Sequence, residues 1–120
     1  MSFDVQRLPP FDGNLEKVLK KYPLSSTRIN GLINSIGNSY QDGDVYPGFG
    51  ECQVRKIRLG LEEYNLKPRK GLRLIFLVIP KKNKIVPLIV YKKGEFKSED
   101  EIKHKVKKHL KDLLATLTSK

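Results

Sequence analysis

The chain has no tryptophan, one cysteine, one methionine and two histidines in 120 residues. The lone Cys52 excludes an intramolecular disulfide, which fits a reducing, cytoplasmic setting. His104 and His109 are the only imidazoles. They form no His/Cys cluster with ligand spacing, so no metal is expected. No phosphate-cradling glycine motif is present either. Gly48-Phe49-Gly50 runs into Glu51 and not into a glycine-rich helix start, so no cofactor is expected. The longest strongly apolar stretch, Leu74–Ile79, is far too short to cross a bilayer. Met1–Val5 begins no apolar run of signal-peptide length. No internal repeat or low-complexity linker divides the chain, and its length is that of one domain, 1–120.

Acidic residues are the other shortage. There are 13 against 24 lysines and arginines, a formal charge of +11. The imbalance is local. Residues 1–51 carry five basic and six acidic side chains, and residues 98–120 carry six and four. Residues 52–97 carry thirteen and three. One 46-residue block therefore holds nearly all of the field, and nucleic acid is the commonest partner of such a block. A solvated basic face is the plainer alternative.

The periodicities predict seven elements. Phe3, Val5 and Arg7 alternate as a short strand stopped by Pro9-Pro10. Leu15, Val18, Leu19 and Tyr22 share one helical face, with Asp12 or Asn14 as cap and Pro23 as stop. Ile29, Leu32, Ile33 and Ile36 form a second helical face, capped by Ser25 or Ser26 and ended by Gly37-Asn38. The two helices should make a hairpin. Ser39–Glu51 reads as a loop. Strands follow at Val54–Leu61, Leu72–Ile79 and Ile85–Tyr91, the last two joined through Lys81–Lys84. Pro87 calls for an edge position or a bulge in the last strand. Ser98–Glu101 is a capping box opening a final helix. Ile102, Val106, Leu110, Leu113, Leu114 and Leu117 line one face of that helix. The expected class is α+β: an N-terminal strand and helical hairpin on a small, mostly antiparallel twisted sheet, with a C-terminal helix.

The informative anomaly is charge inside strands. Val54–Leu61, Leu72–Ile79 and Ile85–Tyr91 otherwise read as core, yet Arg55, Lys56, Arg58 and Arg73 interrupt them. A cation beside a core must face water or an anion. Lys56 and Arg58, two residues apart, share a strand face, while Arg55 and Ile57 point the other way. If Ile57 and Leu59 face the helices, Lys56 and Arg58 lie on the open side.

Lys56-Ile57-Arg58-Leu59, Gly71-Leu72-Arg73-Leu74-Ile75-Phe76 and Val90-Tyr91-Lys92-Lys93, in this order after a helical hairpin, resemble the RelE/ParE superfamily of toxins. The closer likeness is to its RelE/HigB-like messenger-RNA interferase branch. The resemblance covers Phe3 to about Leu117. It implies a metal-independent endoribonuclease that cuts messenger RNA on the ribosome and is silenced by a cognate antitoxin, with which it forms a hetero-oligomer. It also implies that Lys56, Arg58, Arg73, Tyr91 and Lys93 surround the scissile phosphate. Arg55, Lys67, Arg69, Lys70 and Lys92 would be RNA-binding cations around it. The register leaves Lys92 and Lys93 as alternatives for the basic position after the last strand. The chain departs from the RelE type in three ways. It has no tyrosine beyond Tyr91, its Glu62–Lys70 loop is long, and it keeps a full C-terminal helix.

RNA supplies its own nucleophile, the 2′-hydroxyl. Cleavage then needs a proton acceptor, cations for the extra phosphorane charge and a proton donor for the 5′-oxygen. Arg73 and Arg58 suit phosphate, because a guanidinium fork holds two oxygens and stays charged. Arg73 has a structural alternative, a surface ion pair with Glu62, Glu63 or Glu95. Lys56 serves either as a base with a depressed pKa or as plain electrostatic attraction. Tyr91 is a stacking or proton-donating group, or a strand aromatic covering the core. Both histidines are read as solvated, Cys52 as a partly buried thiol, and Glu99-Asp100-Glu101 as complementing the helix dipole. The second functional reading is a non-catalytic or ParE-like member of the fold that binds nucleic acid or acts on gyrase.

Overall fold

The computed structural model describes residues 3–49 and 53–118. Cys52, Glu51 and the side chains of Leu114 and Leu117 lie outside the described residues. The elements are β1 (Asp4–Val5), α1 (Pro9–Lys21), α2 (Ser26–Ser39), β2 (Asp44–Val45), β3 (Gln53–Leu59), β4 (Leu72–Ile79), β5 (Lys84–Lys92) and α3 (Glu99–Thr118). The class is α+β. Five strands form one sheet in the order β1-β5-β4-β3-β2, antiparallel except for the β1–β5 pair.

Alternation along β4 sorts the core into two layers. Leu72, Leu74, Phe76 and Val78 face α1 and α2, where Phe11, Leu15, Ile29, Ile33 and Ile36 cover them. Ile75 and Leu77 face α3, where Ile102, Val106, Leu110 and Leu113 meet them. Both faces are thus apolar, which is why β4 reads as a continuous hydrophobic run. Full burial of each such side chain contributes about 1.5–3 kcal/mol. No helix among the described residues is long and apolar enough to cross a membrane.

Five local expectations are corrected. Pro9-Pro10 do not merely stop β1. They form the first turn of α1, where proline's fixed φ suits the helix and its missing N–H is no loss. Neither Asp12 nor Asn14 is a cap, because α1 starts after Leu8 and both lie inside it; the Asn14 amide instead bonds Val90 of β5 on both sides, N–H to Oδ1 at 2.7 Å and Nδ2 to O at 2.9 Å. β1 covers only the start of β5, so Asn14 satisfies the edge it leaves open. Gly37 does not end α2. It lies inside the helix, where a Cβ would strike the Phe3 carbonyl oxygen. The expected loop Ser39–Glu51 contains β2, a two-residue strand too short for a periodic signal. Leu61 leaves the β3 ladder and bridges Leu66.

Two other features match their expectations. The β4–β5 register slips between Ile75 and Phe76, which pair with Ile89 and Pro87, so Pro87 sits at a bulge. Ser98 caps α3 by accepting the Glu101 N–H at 3.3 Å, while the Glu101 carboxylate reaches back to Lys97 N–H at 3.3 Å.

Candidate functional site

The face of β3 carrying Lys56 and Arg58 is the α3 face, because Val54 two residues earlier belongs to the α3-side core. It is not an open side. α3 packs on it through Ile102 and Val106, and a cleft lies beside the first residues of that helix. Across that end of the sheet Arg58 pairs with Arg73, and Arg73 pairs with Tyr91. Three strands therefore present Arg58, Arg73 and Tyr91 in one row. Directly opposed residues stand about 4.5–5.5 Å apart at Cβ.

The turn after β5 closes the row. The Lys93 N–H donates to Gly71 O at 2.9 Å, tying the residue after β5 to the entrance of β4. Gly71 is required there, since a Cβ would collide with the Leu59 carbonyl oxygen. Gly94, at φ +92°, then turns the chain toward α3. The resulting cleft has a volume of about 250 Å³, with Lys56, Arg58, Arg73, Tyr91, Lys93 and Glu99 in its wall. That is below the roughly 300–1,000 Å³ of pockets for drug-sized ligands.

Arg73 is 5% exposed and pairs with no carboxylate among the described residues. Its Nη1 donates to Pro68 O at 3.1 Å and Gly71 O at 3.4 Å, and its Nη2 to Arg69 O at 2.8 Å. The surface ion pair considered for it does not form. Glu62 and Glu63 pair instead with Arg28, and Glu95 accepts from the Lys92 N–H. A guanidinium has five N–H donors, so among the described residues Nε–H and one Nη2–H of Arg73 have no partner. Burial lowers its pKa, and the neighbouring Arg58 lowers it further. An arginine still keeps its charge.

Lys56 is half-buried, its Nζ 5.0 Å from the centre of the Tyr46 ring. Burial lowers its pKa; Arg58, Arg73 and Lys93 add to this, while Glu99 opposes it. Tyr91 is 3% exposed and packs edge-on against Phe96 at 5.3 Å. Burial pushes its pKa up to about 12, with Glu99 acting in the same direction. It is therefore a core-covering aromatic with one edge in the cleft.

The surrounding cations separate into two groups. Arg55 is on the other face, donating to Gly43 O at 2.7 Å and lying 5.7 Å over the Tyr40 ring, so it does not reach the cleft. Strand alternation alone dictates this. Lys67, Arg69 and Lys70 are exposed on the loop whose carbonyls hold Arg73. Of the two lysines at the end of β5, Lys92 within it and Lys93 just after it, Lys93 lines the cleft. Lys92 folds its Nζ back to the Lys93 carbonyl at 3.4 Å.

Three residues of the site were not anticipated. Tyr46 is buried and stacks with Phe49 at 5.5 Å, and its hydroxyl donates to Glu99 Oε2 at 2.8 Å. Burial raises its pKa, and the bond to Glu99 raises it further. Phe96 forms part of the floor. Glu99 is the only carboxylate in the wall among the described residues. Its position carried a signal, since residues 99, 102 and 106 fall on one helical face and Ile102 and Val106 are core. The histidines are elsewhere. His104 is exposed, and His109 is half-buried in an apolar recess of about 150 Å³ beside Leu8, Phe11, Pro87 and Leu113. No protein-family model matches the chain, and no curated protein matches it.

Proposed function

We propose that the chain is a RelE-like endoribonuclease, the toxin of a toxin–antitoxin pair, cutting messenger RNA on the ribosome in the cytoplasm without a metal. The observation that carries this reading is the convergence of Lys56, Arg58, Arg73, Tyr91 and Lys93 on one cleft. These residues come from three strands and a turn, and four of them are cations. An anion with several oxygens is the natural occupant of such a cleft.

In this reading Arg58 grips the scissile phosphate from the exposed side. Arg73, held by backbone carbonyls, offers its two remaining donors from below. Lys56 and Lys93 add charge as the phosphorane forms. Fixed cations aimed at developing charge need no reorganisation during the reaction. Lys67, Arg69 and Lys70 extend the field along the RNA backbone. The antitoxin is a protein that covers or neutralises this cleft.

The test is induced expression in cells, with growth and messenger 5′ ends read together. Wild type arrests growth and produces new 5′ ends, while Arg58→Ala does neither and keeps its fold. Growth arrest without cuts would favour a gyrase-directed action. RNA binding without cuts or arrest would favour a non-catalytic binder. Full toxicity of Arg58→Ala would remove the cleft from the account.

A further inference from the structure

The cleft contains an acceptor as well as cations, and the geometry points to Glu99 as the group that takes the 2′-hydroxyl proton, with Tyr46 as its positioning residue. This rests on the ribonuclease reading above. Among the described residues Glu99 is the one carboxylate in a wall that holds five cations and two aromatic rings. It stands at the first residue of α3, on the side of the helix that meets the sheet. Tyr46 donates to its Oε2 at 2.8 Å, while Oε1 of this exposed residue has no hydrogen bond among the described residues. The tyrosine ring also carries Lys56 at 5.0 Å, so one buried side chain sets the places of both groups.

The other candidates are less suited to accept a proton. Arginine does not deprotonate. Tyr91 is buried, and losing its own proton is made harder there. Lys56 would first have to become neutral; burial, Arg58, Arg73 and Lys93 favour that loss and the Glu99 charge opposes it, but a neutral amine would give up its attraction for the phosphate. An ionised carboxylate needs no prior deprotonation. Lys56 then stays an ammonium against the phosphate, and the two groups work together.

The step balances as follows. The 2′-O–H proton passes to Glu99 Oε1 as the 2′-oxygen bonds to phosphorus. The bond from phosphorus to the 5′-oxygen breaks, and that oxygen takes a proton from water. Glu99 returns its proton to solvent. The products are a 2′,3′-cyclic phosphate and a 5′-hydroxyl.

Glu99 is faced by Tyr46 from the loop after β2, Lys56 and Arg58 from β3, Arg73 from β4 and Tyr91 from β5. Lys93 and Lys97 of the connecting turn share the cleft, and Lys103 lies one turn along α3. The experiment is single-turnover cleavage on ribosomes programmed with a short messenger, across a series of pH values. Wild type, Glu99→Gln, Glu99→Asp and Tyr46→Phe are compared, and binding is read separately with a messenger carrying a 2′-deoxy nucleotide at the cut.

Glu99→Gln is expected to slow cleavage on the order of 10²–10⁴-fold. It flattens the acidic limb of the profile, while binding is kept or tightened because a negative charge leaves. Glu99→Asp retains the limb at reduced rate. Tyr46→Phe slows cleavage less and also retains the limb. Wild-type cleavage by Glu99→Gln, or an unchanged acidic limb, would overturn the assignment. So would a loss of cleavage no larger than the loss of binding. A wild-type protein that leaves every messenger intact would overturn the ribonuclease reading itself.

Discussion

Replacing Arg73 by methionine separates what that side chain does for the fold from what Arg58 does for a ligand. Methionine keeps the length of the stem and removes the fork. Three hydrogen bonds to carbonyls of Pro68, Arg69 and Gly71 are lost. Bonds from a charged donor are worth about 1.5–3 kcal/mol each when isolated. The sum overstates the effect. Pro68 and Arg69 are exposed, so their carbonyls regain water, and Gly71 O keeps the Lys93 N–H. Removing a buried cation that has no counter-ion also returns part of the loss. The expected net destabilisation is about 1–3 kcal/mol. For a domain of this size that is a fall in Tm of roughly 3–10 °C. Arg58→Met is the control. Arg58 is exposed and faces Arg73 directly, so its loss changes stability by no more than about 0.5 kcal/mol. The sign should favour the variant, because like charges across a strand pair repel. The assay is thermal and urea unfolding of both variants, alongside RNA binding over a salt series. Arg58→Met should lower the slope of log K against log salt by about 0.7 if one phosphate contact is lost. A wild-type Tm for Arg73→Met, or an equal loss for both variants, would refute the division of labour.

Asn14→Ala leaves the Val90 N–H and carbonyl of β5 without a partner, and should cost about 1–3 kcal/mol in urea unfolding. Asn14→Asp keeps the acceptor and should lose less. Burial holds the His109 pKa below its ordinary 6.5, with Asp112 opposing and Lys105 and Lys108 assisting. The unfolded chain then binds the proton first as pH falls. This contribution to stability is full above about pH 6.5 and is lost on acidification through the lower, folded value. His109→Gln should flatten the acid side of a stability–pH series, and a series unchanged by that substitution would refute the burial argument.

The sequence carried more of the frame than of the site. β4 was legible to the residue, because an eight-residue segment between a glycine and a proline, apolar except for Arg73, has one reading. The bulge at Pro87 followed from the missing N–H. The pairing of Lys56 with Arg58 followed from strand period alone, and the same period excludes Arg55 from the cleft. Less legible was everything set by contacts distant in sequence. Asn14 looked like a cap because its partner, Val90, lies on another element. Gly37-Asn38 looked like a stop because the close approach of Phe3 is not local. Glu99 looked like a dipole partner, and the second demand on it came from Tyr46, inside a segment with no periodicity. Arg73 was identified as important, but its burial and its bonds to the 68–71 carbonyls depend on how a loop folds back.

The central claim is that the cleft cuts RNA. Its most direct test is to incubate purified protein with ribosomes translating a defined messenger and to analyse the chemistry of any new ends. The account predicts discrete cuts bearing a 2′,3′-cyclic phosphate and a 5′-hydroxyl, lost in Arg58→Ala. An intact messenger, at protein concentrations where salt-sensitive RNA binding is complete, would contradict it.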